Sequence, residues 1–189
     1  MKKLKRIAVA ILLILIAVSC SNKEDTAVKN RIDLIQNNKD QKVDVMVNGK
    51  LFTSFLYTDQ LSVLKKPVLY PIISANGVTI TRGFPLNPRP GERTDHPHHI
   101  GAWLNYGDVN GLDFWGNSDA IPPERAEEMG TIRLEKIKKL ESGNGKAELS
   151  VICDWMNSEK KVLLKENTDF IFSVEKDKRI IDRITTLTA

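Results

Sequence analysis

The chain has 189 residues, with 28 lysines and arginines against 24 aspartates and glutamates. Four of those bases (Lys2, Lys3, Lys5 and Arg6) and none of the acids lie in the first 19 residues, so residues 20–189 carry 24 of each sign and offer no net-charge footprint for a nucleic-acid partner. That remainder is long enough for one domain with a real core.

The four bases open a leader. Ile7 to Val18 is an unbroken apolar run of 12 residues. At roughly 1.5 Å per residue it makes about 18 Å of helix, short of a hydrocarbon core of about 30 Å. Residues 1–19 therefore read as a secretory signal peptide. The end of this segment, Ala17-Val18-Ser19-Cys20, resembles the lipobox of bacterial lipoproteins, whose cysteine is acylated and becomes the new N-terminus. Ser21-Asn22-Lys23-Glu24-Asp25 resembles the acidic export tags of some surface lipoproteins. These resemblances imply lipidation at Cys20, a membrane partner through the lipid, and a place on the periplasmic or cell-surface side of the outer membrane. With Cys20 acylated, Cys153 has no disulfide partner, and its alternating apolar surroundings predict a buried, inert thiol.

Residues 20–40 are polar and read as a lipidated tether, with at most a short helix around Ile32, Leu34 and Ile35. The folded domain is expected over 41–189. Val43, Val45 and Val47 alternate with Asp44 and Met46, and Asn48-Gly49 follows, the strongest short hairpin signal. The return strand is predicted over Leu51 to Tyr57. Further strands are predicted at Val68 to Ile73 and, after a turn at Ser74-Ala75-Asn76-Gly77, at Val78 to Arg82. Residues 83–130 hold six of the eight prolines and seven of the 11 glycines, a density that forbids long regular elements. A loop of that length in a compact domain is a functional candidate, and its aromatics (Phe84, Trp103, Tyr106, Phe114, Trp115) argue against disorder.

Regular structure returns at Thr131 to Glu141, whose spacing fits strand or helix. Ser142 to Gly145 is a turn. Ala147, Leu149, Val151, Cys153 and Trp155 alternate as a half-buried strand. Val162 to Leu164, Phe170 to Val174 and Arg179 to Leu187 complete the pattern. Short strands at regular spacing predict a mainly β fold, an antiparallel β-sandwich. The last strand runs to the end of the chain with no capping turn, so its neighbour is expected beyond residue 189.

All three histidines fall in Asp95-His96-Pro97-His98-His99. Imidazole is the side chain that titrates nearest neutral pH and the commonest metal ligand. An extended segment, which Pro97 favours for its predecessor, would put His96 and His98 on one side. His96 and His98 are acid/base candidates, with Asp95 or Asp113 orienting them. Trp103 and Tyr106 are candidates to stack on a sugar ring, and Asn110 and His99 to bond its hydroxyls. Arg89 and Arg93 are candidates to hold an anionic group; internal pairing is the equal alternative. One of Phe114 and Trp115 is expected to anchor the loop in the core. A competing reading makes His96, His98 and His99, with a carboxylate, ligands of a divalent transition metal. A third makes the region a non-catalytic binding module, and a fourth leaves the histidines purely structural.

The segments Thr81-Arg82-Gly83-Phe84-Pro85, Pro88 to His99 and Gly107-Asp108-Val109-Asn110-Gly111-Leu112-Asp113-Phe114-Trp115 resemble the signature of the methane oxygenase PmoA-like family of extracytoplasmic bacterial proteins. The resemblance is specific over 67–116 and looser over 42–66 and 131–189. Members are generally longer and continue with a part that carries a Lys-Glu-Gly stretch. The family label suggests a metal-dependent oxygenase. The resemblance also implies proximity to carbohydrate-degrading enzymes, and the β-rich pattern is similar to sugar-handling sandwiches such as the aldose mutarotases. The expected function is thus binding or transformation of a carbohydrate or other small molecule by a lipid-anchored protein. The metal-dependent oxygenase and the binding module are the alternatives. Neither the cofactor nor the oligomeric state follows from the sequence.

Overall fold

The computed structural model describes residues 30–189. The leader and the lipidation at Cys20 expected from the sequence, and the first part of the expected tether, fall outside the described residues. The described chain is an antiparallel β-sandwich. One sheet contains β1 (Arg31–Asn37), β2 (Lys42–Val47), β3 (Lys50–Leu56), β4 (Val68–Ile72) and the two-residue β6 (Gly143–Asn144), in the order β4-β3-β2-β1-β6. The other contains β5 (Thr131–Glu141), β7 (Lys146–Met156), β8 (Val162–Glu175) and β9 (Lys178–Thr188), in the order β5-β7-β8-β9. Among the described residues no helix is long and apolar enough to cross a membrane.

The fold begins ten residues earlier than the sequence suggests. In place of a tether or short helix, Ile32 and Leu34 sit on strand β1, opposite Val47 and Val45. Both are buried while Ile35 faces out. The apolar spacing of three residues is too short to separate the two periods by itself, and pairing with β2 decides it. Asn48 and Gly49 both take positive φ, 50° and 76°, as a tight hairpin turn requires.

The core lies between the sheets. Val43, Val45, Phe52 and Phe55 from one face meet Leu149, Val151, Phe170 and Phe172 from the other. Phe52 contacts Phe172 edge-on at 6.2 Å, and Phe55 lies 5.5 Å from Phe170. A register shift at Val45/Met46 lets both Phe52 and Phe55 turn inward, although an odd spacing in a regular strand would put them on opposite faces. The residues from Ala147 to Trp155 that alternate in the sequence are all buried, and Cys153 among them is the free cysteine of the described residues. Burial, then the nearby Glu166 charge, pushes its thiol far above the ordinary range, so it stays protonated and inert.

Two expectations about elements need correction. Val78 to Arg82 is not a strand: it makes one bridge, Ile73 to Thr79, and Val78 and Ile80 stand exposed. The Thr81 hydroxyl accepts from the Ile72 amide, taking the place of a ladder carbonyl. Asn144 and Gly143 are more than a turn: they pair with Arg31 and Ile32, so the chain touches the first sheet on its way from β5 to β7.

Residues 83–130 form the expected long loop, with only a short 3-10 helix at Pro123–Glu128. Phe114 is its core anchor. Its ring lies 5.0 Å from that of Trp155, and Gly130 packs where any Cβ would run into it. A second small core of Leu64, Val68 and Ile100, with Trp103 and Leu86 against it, fastens the loop over β4.

Candidate functional site

The loop is shaped by hydrogen bonds that replace a ladder. Leu69 and Ala102 exchange both backbone bonds, at 2.9 and 3.0 Å, and so pin the segment after the histidines onto β4. Glu92 gathers the amides of Gly83 (2.7 Å), Phe84 (3.1 Å) and Arg89 (3.2 Å), and pairs with the Arg89 guanidinium. The Gly83 amide is the largest influence holding this carboxyl at about 2, against an upward push from burial. Arg89 is thereby paired internally, the bland alternative for it, and also donates to the Thr81 carbonyl. It lines neither hollow described below.

The histidine segment is turned, not extended. His96 has φ 50°, and the His99 amide donates to the His96 carbonyl at 3.0 Å. The alternation expected for Asp95 to His99 is therefore lost, and all three imidazoles gather. His96 stacks on His99 with ring centres 5.0 Å apart, and His98 meets His99 edge-on at 4.4 Å. Asp95 does orient a histidine: its Oδ2 lies 3.0 Å from His96 Nδ1 and 2.8 Å from an Arg93 nitrogen. Burial pushes the Asp95 carboxyl up, but the hydrogen bond from His96 and the charges of Arg93 and Arg82 outweigh it and hold it below its usual range. Asp113 does not orient a histidine. Its Oδ1 accepts from the amides of Trp115 (2.7 Å) and Gly116 (2.9 Å), which fixes where Trp115 leaves the backbone.

Trp103 and Trp115 meet edge-to-face at 5.4 Å, and each lies about one ring away from His99, at 6.1 and 6.2 Å. Trp115 remains 48% exposed. With His99, Arg82, Thr81, Ile80 and the backbone at Gly101 and Ala102, the two indoles line an open hollow of about 540 Å³. A second hollow of about 480 Å³ adjoins it, lined by Arg82, Glu92, Arg93, Asp95, His96 and His99; Arg82 and His99 belong to both. Tyr106 is exposed and lines neither, whereas Trp115 stands beside Trp103 in the wall of the first. Asn110 also lies elsewhere. Its φ of 54°, with Gly111 at 82°, makes it the tip of the turn between Val109 and Leu112.

The side chain that sequence reading missed is Lys66. It is almost fully buried, with Nζ 4.4 Å over the Trp103 ring and 3.3 Å from the Trp115 carbonyl. No carboxylate pairs with it among the described residues. Burial pushes it down to about 8, against the opposing pull of Asp113. A lysine in a run of Lys65-Lys66-Pro67 carries no sequence mark of burial. Lys66→Met keeps the stem and removes a desolvated charge, so we expect a gain of about 1 kcal/mol in unfolding free energy. A lower urea midpoint in this variant would show that the cation–π contact outweighs desolvation.

His98 and His99 are held neutral. Burial first, then the charges of His99, Lys66 and His96, push His98 down to about 4, with Asp113 opposing. Burial, then His96, lowers His99 as well. An unfolded His98 takes up its proton near the ordinary imidazole value of 6.5, whereas the folded one does so only at about 4. Stability is therefore complete above the unfolded value and falls as pH drops through that window. Urea midpoints between those pH values should decline in the wild type and decline less in His98→Asn.

The imidazoles do not make a metal centre. Among the described residues, no three His, Cys, Asp or Glu side chains are arranged to hold an ion. His96 points Nδ1 at Asp95, and its ring lies flat against that of His99. The donor set His96, His98, His99 does not fit the metal ligation considered from sequence.

Residues 42–189 match the model of a family of unknown function, DUF6807. Comparison with curated proteins and with solved structures gives no match.

Proposed function

We propose, from the premise that the chain belongs to the DUF6807 family and takes no assigned chemistry from it, that the aromatic hollow binds a carbohydrate. The observation that carries this reading is Trp115. It is a half-exposed indole fixed from three sides: by Asp113 through its amide, by Lys66 through its carbonyl and by Trp103 through its ring. A flat apolar face held at the wall of an open hollow suits the C–H face of a sugar ring. The neutral His99 beside it offers both a donor and an acceptor to hydroxyl groups.

The Asp95–His96 pair at the adjoining hollow gives the site a means of moving a proton. With Nδ1 hydrogen-bonded to the carboxylate, Nε2 of the half-exposed His96 is the nitrogen left to act as the base. Lipid attachment at Cys20 is part of the same proposal and would hold this hollow at the periplasmic or cell-surface side of a membrane. Loss of labelled palmitate on Cys20→Ala checks it.

A glycan array followed by calorimetry tests the reading. Trp115→Ala should lose roughly tenfold or more in affinity with an unchanged melting temperature, since its ring is outside the core. Silence of the wild-type protein across neutral and acidic sugars refutes the proposal. His96→Ala then separates enzyme from binding module: turnover lost with affinity kept means catalysis.

A further inference from the structure

We infer that the ligand of the hollow is an acidic sugar, with its anionic group held by Arg82; this rests on the carbohydrate reading above. Arg82 is the charged side chain among those lining the aromatic hollow, whose other walls are indole, imidazole, Ile80, Thr81 and backbone. It also lines the adjoining hollow, and so stands at the junction of the two.

The guanidinium is pre-placed. Nη2 donates to the carbonyls of Arg93 (2.6 Å) and Asp95 (2.9 Å), and the group lies over the Phe84 ring at 5.3 Å. Nε and Nη1 donate to no acceptor among the described residues, and Asp95 comes no nearer than 3.8 Å to Nη2. The side chain is 27% exposed and belongs to the lining of both hollows. Orienting a guanidinium by two carbonyls while leaving N–H groups towards a hollow lowers the entropy cost of gripping an anion.

The surrounding charge agrees. Arg93 lies on the same side and is 87% exposed. Lys66 places a third cation against Trp103. The nearest carboxylates have other partners: Glu92 on the Gly83 and Phe84 amides and Arg89, and Asp113 on the Trp115 and Gly116 amides. Asp95 is shared between His96 and Arg93. A ring stacked on Trp115 and bearing a carboxylate or sulfate ester matches this arrangement; a neutral ring offers Arg82 only hydroxyl acceptors and no counter-charge.

The test compares methyl glucosides and galactosides with their glucuronide and galacturonide counterparts and with their 6-sulfates, by calorimetry on the whole protein. At least one acidic form should bind about tenfold or more tighter than its neutral parent at low salt, and the gap should shrink as salt rises. Whichever acidic form gains more names carboxylate or sulfate ester as the group. Arg82→Gln should remove the gap between acidic and neutral forms, and the ratio of the two affinities, not either one alone, is the readout. The salt dependence stands without the variant, should loss of the Arg93 and Asp95 carbonyl bonds disturb the loop. Equal affinity of neutral and acidic forms overturns the inference while leaving the carbohydrate reading intact. Binding by none of them overturns both.

Discussion

Glu166→Ala should lower the unfolding free energy by about 3–5 kcal/mol, the usual cost of leaving a buried partner charge alone. Glu166 is 3% exposed at the centre of β8. Its carboxylate accepts from Trp155 Nε1 at 2.9 Å, from the Thr168 hydroxyl at 2.6 Å and from Arg183 of β9. The Arg183 guanidinium lies over the Phe170 ring and also donates to the Thr185 hydroxyl. Removing the carboxylate strands an indole N–H in a fully buried site and leaves the half-buried Arg183 guanidinium without its counter-charge. Glu166→Gln should cost less, because an amide oxygen in the place of Oε1 can still accept from Thr168 and Arg183. Replacing both partners with apolar residues, Glu166→Leu with Arg183→Met, should recover most of the loss. Urea unfolding followed by tryptophan fluorescence reads all three. A loss below about 1 kcal/mol for Glu166→Ala would mean that water satisfies the stranded groups.

Gly101→Ala should cost roughly 3 kcal/mol and abolish the sugar binding proposed for the hollow, because two penalties coincide there. Gly101 has φ 59°, where an alanine is strained. Its Cβ would also run into the Leu69 carbonyl oxygen, which is the acceptor of the Ala102 amide. That bond is half of the exchange that docks the histidine and Trp103 segment onto β4. Gly111→Ala is the control: its φ is 82°, but open space surrounds the new methyl group. It should cost only about 1–2 kcal/mol and spare the hollow. Near-UV circular dichroism of the Trp103–Trp115 pair, with thermal melts, separates the outcomes. A retained near-UV signal in Gly101→Ala would show that the loop does not depend on this bridge.

Both residues lay beyond what the sequence could mark. Glu166 sits in Lys165-Glu166-Asn167, a stretch that reads as solvated surface, and its role exists only because β7 and β9 bring Trp155 and Arg183 to either side of it. Gly101 was one glycine among seven in a long loop. Its constraint comes from β4, more than 30 residues earlier in the chain, and no local signal distinguishes it from Gly91 or Gly111, where a Cβ meets nothing.

What the sequence determined by itself is whatever rests on short-range periodicity and turn chemistry. The alternation of Val43 to Val47 and of Ala147 to Trp155 sets which side chains face inward, because a strand repeats every two residues. Asn48-Gly49 sets a hairpin, because both positions need positive φ. Proline and glycine density sets the long loop, and all three histidines fall within it. The tertiary structure alone decided that Ile32 and Leu34 join a strand, since pairing across β2 outweighs a weak local preference. It alone turned His96 out of the extended form, paired Arg89 with Glu92, drew Asp113 to the Trp115 amide and buried Lys66 beneath Trp103. Each of these depends on which group, near in the chain or far from it, satisfies a charge or a backbone donor once the loop is folded and water is excluded, and the residue types alone do not encode that partner.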